Sequence, residues 1–173
     1  MNPFIICFGL IFVALVSNLS GEKFRINDLL ITQSRKFITI AMIIRVISSQ
    51  FIIWLLWTIP SLATVWISGL SYFVIGTHFQ ILLLYVYIYL AMLTLSLLEL
   101  NLLMITNNTI AFLLAFGMNC LDYYLAKTTD DSLFYYFTNL KSQIDLATKF
   151  IIMLFLIGLL TFTLNKIISK KDF

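Results

Sequence analysis

At 173 residues the chain has the length of one compact soluble domain, but 61% of it is hydrophobic and only 11% charged, where soluble proteins carry about 25% charged residues. Eleven Lys and Arg with eight Asp and Glu cannot cover a soluble globule, and the dominance of Phe, Ile and Leu excludes a disordered chain. Two cysteines exclude a disulfide scaffold, and the net charge of +3 is spread along the edges of long apolar runs, so it reports membrane topology and not a nucleic-acid surface.

The first run, residues 3–19, is at the short limit for a membrane span. A signal peptide is the competing reading; no basic residue precedes the run, and no small-x-small site leads into a soluble domain. Ser17 and Asn18 then fall near an interface. Residues 21–37, GEKFRINDLLITQSRKF, form the most charged stretch of the first half. With Asn27 or Asp28 capping a short helix and Ser34 capping the helix that follows, this reads as an interfacial elbow held down by Lys23, Arg25, Arg35 and Lys36.

A second span covers 38–59, with Pro60 at its end. It carries Arg45, about 10 Å into the helix at 1.5 Å per residue, where an arginine must snorkel or find a partner. Ser48 and Ser49 share a face with Arg45 by three- and four-residue spacing, and Gln50 falls apart from them. Residues 61–76 are apolar but short, with two glycines and three serines, and read either as an interfacial or re-entrant segment or as a span of their own.

Spans at 79–98 and 102–121 follow, with Glu99, Asn101, Asn107 and Asn108 suiting a connection at a membrane face. Glu99 then lies in the same leaflet half as Arg45. The two either form an intramembrane pair, or Arg45 snorkels alone and Glu99 faces water; direct contact of Arg45 with substrate is a third reading. The longest polar segment, 122–145, sets Tyr123, Tyr124, Phe134, Tyr135, Tyr136 and Phe137 beside Asp122, Asp130, Asp131 and Asp145. Aromatic anchoring at the lipid interface is the plain reading; contact with a cationic peptide through Tyr123, Tyr124, Asp130, Asp131, Tyr135 and Tyr136 is the sharper one. A last span covers 146–164, before a basic tail.

Five spans place seven basic residues of segments 20–37 and 165–173 on one side, and only Lys127 and Lys141 on the other, with Lys149 just inside the last span. The positive-inside pattern then puts the C-terminus in the cytoplasm and the N-terminus outside; a sixth span at 61–76 would put the basic tail outside. The expectation is an all-α, polytopic bundle in the cell membrane, formed as a single domain of about five spans plus the elbow and a re-entrant segment.

No Walker A loop, HExxH or CxxC motif occurs, and His78 is the single histidine. No catalytic, cofactor-binding or metal site is expected.

In layout, residues 24–45, FRINDLLITQSRKFITIAMIIR, and the 122–145 loop resemble the membrane subunit of ABC-2 type transporters, particularly the small permeases of bacteriocin export and immunity. Ser34, Arg35 and Lys36 stand where that family often has a small-residue–Arg–basic turn. Against the usual six-span pattern, this chain lacks the first span and first external loop. The resemblance implies a cytoplasmic ABC ATPase as partner, with Lys23, Arg25, Arg35 and Lys36 as coupling contacts. It also implies a second permease subunit, the same or a longer one, and a peptide-like substrate. ATP hydrolysis would then belong to the partner and not to this chain. A non-transporting immunity or accessory protein is the alternative.

Overall fold

The structure, a computed structural model, describes residues 3–22, 35–67, 78–129, 131–135 and 143–170. Among these residues it is all α-helix with turns: α1 (Pro3–Glu22), α2 (Arg35–Ile67), α3 (His78–Ile105), α4 (Asn108–Thr128) and α5 (Gln143–Lys170). Among the described residues four stretches are long and apolar enough to cross a membrane: Phe37–Thr64, Leu83–Ile105, Asn108–Thr128 and Asp145–Lys170. The apolar stretch of α1, Ile6–Leu19, is shorter. The all-α bundle of an integral membrane protein therefore stands; the elbow helix and the coupling residues Lys23 and Arg25 lie outside the described residues.

Helix α3 occupies the middle. Its sequence is apolar on every side, as a fully surrounded helix requires, and 78% of its most apolar window is buried, against 22–28% in α2, α4 and α5. All four other helices pack on it, whereas α4 and α5 scarcely meet each other. Contacts such as Phe8 with Phe116 and Tyr123, and Phe12 with Phe112, run α4 antiparallel to α1. Tyr89 to Ile47 and Trp54 to Tyr85 run α2 antiparallel to α3. Tyr87 of α3 and Lys149 of α5 both bond to residues 132–133, and further along each helix Asn101 meets Leu160 and Thr163, which sets α5 parallel to α3. The outward faces carry Phe37, Ile44, Ile52, Leu113, Ile151 and Phe155, all exposed. That is the inverse of a soluble surface and fits lipid as the solvent.

Two expected boundaries move. Pro60 does not end the second helix, which runs on to Ile67. Proline removes one backbone donor, a loss that membrane helices tolerate when neighbours hold the turn. Here Ser61 Oγ lies 2.8 Å from Tyr85 Oη, and Trp54 Nε1 donates to the Tyr85 carbonyl at 2.9 Å, so α2 is fastened to α3 on both sides of the proline. Residues 61–67 thus extend α2 instead of entering a re-entrant segment; 68–76 lie outside the described residues.

The connection between the third and fourth helices lies at Thr106 and Asn107, not at 99–101. Asn107 caps α4, its Oδ1 accepting from the Ile110 backbone N–H at 2.9 Å. Glu99 and Asn101 are consequently inside α3.

If α4 crosses the membrane, its two ends face opposite compartments. In a background of Cys7→Ala and Cys120→Ala, a cysteine placed at Thr106 and one placed at Thr129 should react with a membrane-impermeant maleimide from opposite sides of intact cells. Labelling of both from the same side would show that α4 does not cross.

Candidate functional site

Three helices contribute one polar side chain each to a buried cluster. Glu99 of α3 and Gln50 of α2 are 0% exposed and Asn18 of α1 is 6% exposed. Asn18 Nδ2 donates to Glu99 Oε2 at 2.9 Å. Gln50 Nε2 donates to the Ala14 carbonyl at 3.2 Å and to Asn18 Oδ1 at 3.3 Å. Ala14 and Asn18 are one turn apart on α1, so Gln50 grips two successive levels of that helix. A carboxylate that accepts from an amide in a low-dielectric interior is held far more firmly than it would be in water. The cluster can fasten three helices at one height, and it places an acidic group where no water is needed to solvate one of its oxygens.

A second polar joint lies one half-turn further along α3. Asn101 Nδ2 donates to the Leu97 and Leu160 carbonyls, and Thr163 Oγ1 donates to Asn101 Oδ1 at 2.9 Å, which ties α3 to α5.

The third joint lies at the opposite end of the bundle. The buried face of α4 reads Ala111, Ala115, Asn119, Asp122 and Ala126, with small residues that allow close helix approach and two polar ones at its far end. The Asp122 carboxylate accepts from the Leu133 and Phe134 backbone N–H groups at 2.8 and 2.7 Å. Tyr135 Oη donates to Asn119 Oδ1 at 2.6 Å, and Tyr87 Oη of α3 donates to the Leu133 carbonyl. Lys149 of α5 donates to the Ser132 carbonyl at 2.7 Å and pairs with Asp131. Residues 131–135 are thereby bonded to α3, α4 and α5 together. Burial pushes the Tyr135 phenol above its ordinary pKa, so it remains a donor throughout the physiological range.

The anticipated residues are distributed differently. Arg35 and Lys36 open α2. Arg45 and Glu99 form no ion pair among the described residues: Glu99 faces inward to Asn18, whereas Arg45 lines an outward groove with Ile44, Ser48, Ser49 and Ile52. In the Arg45–Ser48–Ser49 stripe the serines bond back to the backbone of α2, Ser48 Oγ donating to the Ile44 carbonyl and Ser49 Oγ to that of Val46. Neither does Glu99 face water, because its side chain is wholly buried between α3 and its neighbours. In the loop set, Tyr124 is exposed, Tyr123 packs on Phe8 and Tyr135 with Lys127 over its ring, and Tyr135 is buried rather than offered outward, drawn in by Asn119. Asp131 is on the surface with Lys149, and Asp130 and Tyr136 lie outside the described residues.

Sequence reasoning set aside Asn18, Gln50, Asn119 and the capping role of Asp122. The available signal was one strongly polar residue per apolar run, and for α4 the four-, four-, three- and four-residue spacing of the Ala/Asn/Asp stripe.

No group of three His, Cys, Asp or Glu side chains among the described residues could hold a metal ion. No protein-family model, curated protein or solved structure matches the chain.

Two outcomes follow from these joints. Asn18→Leu removes the amide from a buried carboxylate and should cost about 1–3 kcal/mol, read as a lower midpoint in reversible detergent unfolding; no loss would mean that the bond does not help hold α1 to α3. Asp122→Ala strips the acceptor from two backbone amides, and hydrogen exchange at Leu133 and Phe134 should accelerate by roughly tenfold or more while α3 exchange is unchanged.

Proposed function

We propose that this integral membrane protein is the membrane-embedded subunit of an ABC-type transporter. In this reading a separate ATPase subunit powers export of a peptide-like, amphipathic substrate. The observation that carries the reading is the gathering of basic residues at one end of the bundle. Helix α1 finishes, α2 starts and α5 finishes at that end, bringing Arg35, Lys36, Lys166 and Lys170 to it. Lys23 and Arg25 belong to the segment that joins α1 to α2 there. The positive-inside rule makes this the cytoplasmic end, with the C-terminus inside and the N-terminus outside. In this reading the basic segment would receive an ATPase and pass its movement to α2. That movement would reach α1 and α3 through Gln50, Asn18 and Glu99. Because α3 fills the centre of one copy, the substrate path would run along an interface with a second permease subunit.

The same filled centre favours a second reading, a non-transporting immunity or accessory protein that acts through its surfaces alone.

The two readings part in a pull-down of the tagged protein from native membranes in mild detergent. The transporter reading expects a stoichiometric ATPase that is lost in the Arg35→Glu/Lys36→Glu variant, with that variant inserted as stably as the parent. Intact protein without an ATPase in several gentle detergents would overturn it and leave the accessory role.

A further inference from the structure

Helices α3 and α5 run parallel, and near their shared end they leave a groove of about 390 Å³ lined by Leu98, Leu102, Ile105, Ile167, Lys166 and Lys170 among others. Its polar floor residues are already occupied: Asn101 and Thr163 bond to each other and to α3 and α5 carbonyls. What remains is an apolar trough with two lysines at its mouth. Lys166 and Lys170 are one turn apart on α5, so they stand on the same face. Both are exposed, and among the described residues neither pairs with a carboxylate. Lys166 Nζ leans back over the Phe162 ring, 5.5 Å from its centroid.

Depth decides what such a site meets. Lys149 and Lys166 bracket a run of α5 without charge, about 25 Å long at 1.5 Å per residue, so the groove mouth lies at headgroup level and its apolar floor in the acyl region. A pair of ammonium groups above a hydrocarbon trough is complementary to a molecule with an anionic head and an apolar tail, both at that depth.

We infer that the α3–α5 groove is a binding site for one anionic phospholipid, whose phosphodiester sits between Lys166 and Lys170 and whose acyl chain lies along Leu98, Leu102, Ile105 and Ile167. The lipid fills a gap between two helices and adds its own contacts to both. The inference is independent of whether the protein transports anything.

The test is native mass spectrometry of the full chain, titrated with phosphatidylglycerol, with phosphatidylcholine of the same acyl chains, and with inorganic phosphate. The site predicts retention of one phosphatidylglycerol in preference to phosphatidylcholine, and no displacement by millimolar phosphate. Lys166→Gln or Lys170→Gln should each lower that preference about fivefold, and the double variant roughly twenty-five-fold. Lys127→Gln, at the other end of the bundle, should leave it unchanged. Ile167→Trp keeps both charges but fills the trough and should reduce binding of both lipids, which keeps the test decisive if the double lysine variant does not fold. Equal retention of the two lipids by the parent protein, or an unchanged preference in the lysine variants, would overturn the inference. So would displacement by phosphate, which would make the site a plain anion site. A change of oligomeric state in the lysine variants with lipid preference intact would overturn it too, by making the groove an interface between copies.

Discussion

A carboxylate inside a helical bundle has to be met where it stands, and Glu99 is met by Asn18, which in turn is gripped by Gln50. This fixes the heights of α1, α2 and α3 relative to one another. In lipid the hydrophobic effect does not press helices together, because the surrounding tails are as apolar as their side chains. Register and association therefore rest on close packing and on interhelical hydrogen bonds, each worth about 0.6 to 2 kcal/mol. Within a turn of Asn18 and Glu99, Leu15 of α1 and Leu95 of α3 are fully buried in one apolar cluster. A slip of one turn in any of the three helices would break both the packing and the amide bonds.

The three polar joints divide the labour along α3. The Glu99 cluster joins it to α1 and α2, Asn101 joins it to α5, and Tyr87 joins it to the loop that Asp122 also holds. Helices α4 and α5 have little direct contact, so their mutual placement depends on that loop and on α3. Residues 131–135 bridge them through Asp122 on one side and Lys149 on the other. Residues 131–135 are a structural member of the bundle at that end, and the buried Tyr135 is better described as a wedge than as a recognition surface.

Much of this was legible in the sequence, and the misreadings share a cause. Long apolar runs announced the all-α membrane class and the approximate position of every described helix. Helix ends were misplaced where a polar or breaking residue was taken for an edge. Glu99 and Asn101 look like a loop when each is weighed alone against lipid, because their cost is high only if no partner is present; the partners, Asn18 and Leu160, are 81 and 59 residues away. Pro60 looks terminal for the same reason, since the ring of contacts from Tyr85 that holds the next turn is also nonlocal. Arg45 left several readings open, a partner inside or lone snorkelling among them, and its helical face turns it outward with Ile44 and Ser48, away from Glu99. Local composition fixes what must be satisfied, and only the tertiary arrangement shows which groups are.

The polar residues of this protein accordingly form two sets with separate physical roles. Uncharged amides and buried acids, Asn18, Gln50, Glu99, Asn101, Asn119 and Asp122, hold the bundle from within. Lys149 belongs with them through Ser132 and Asp131, whereas Lys166 and Lys170 at the other end stand outside the hydrogen-bonded core. A charge at the end of a helix is weighed against headgroups and water, so it sets orientation and the choice of what binds there. A buried amide is weighed against hydrocarbon, so it sets which helices meet. The two sets are separable by mutation for that reason. Reversing charges in the first turn of α2 leaves the contacts of Gln50, four turns away along the helix, where they were, whereas changing Asn18 alters the fold before it alters any surface.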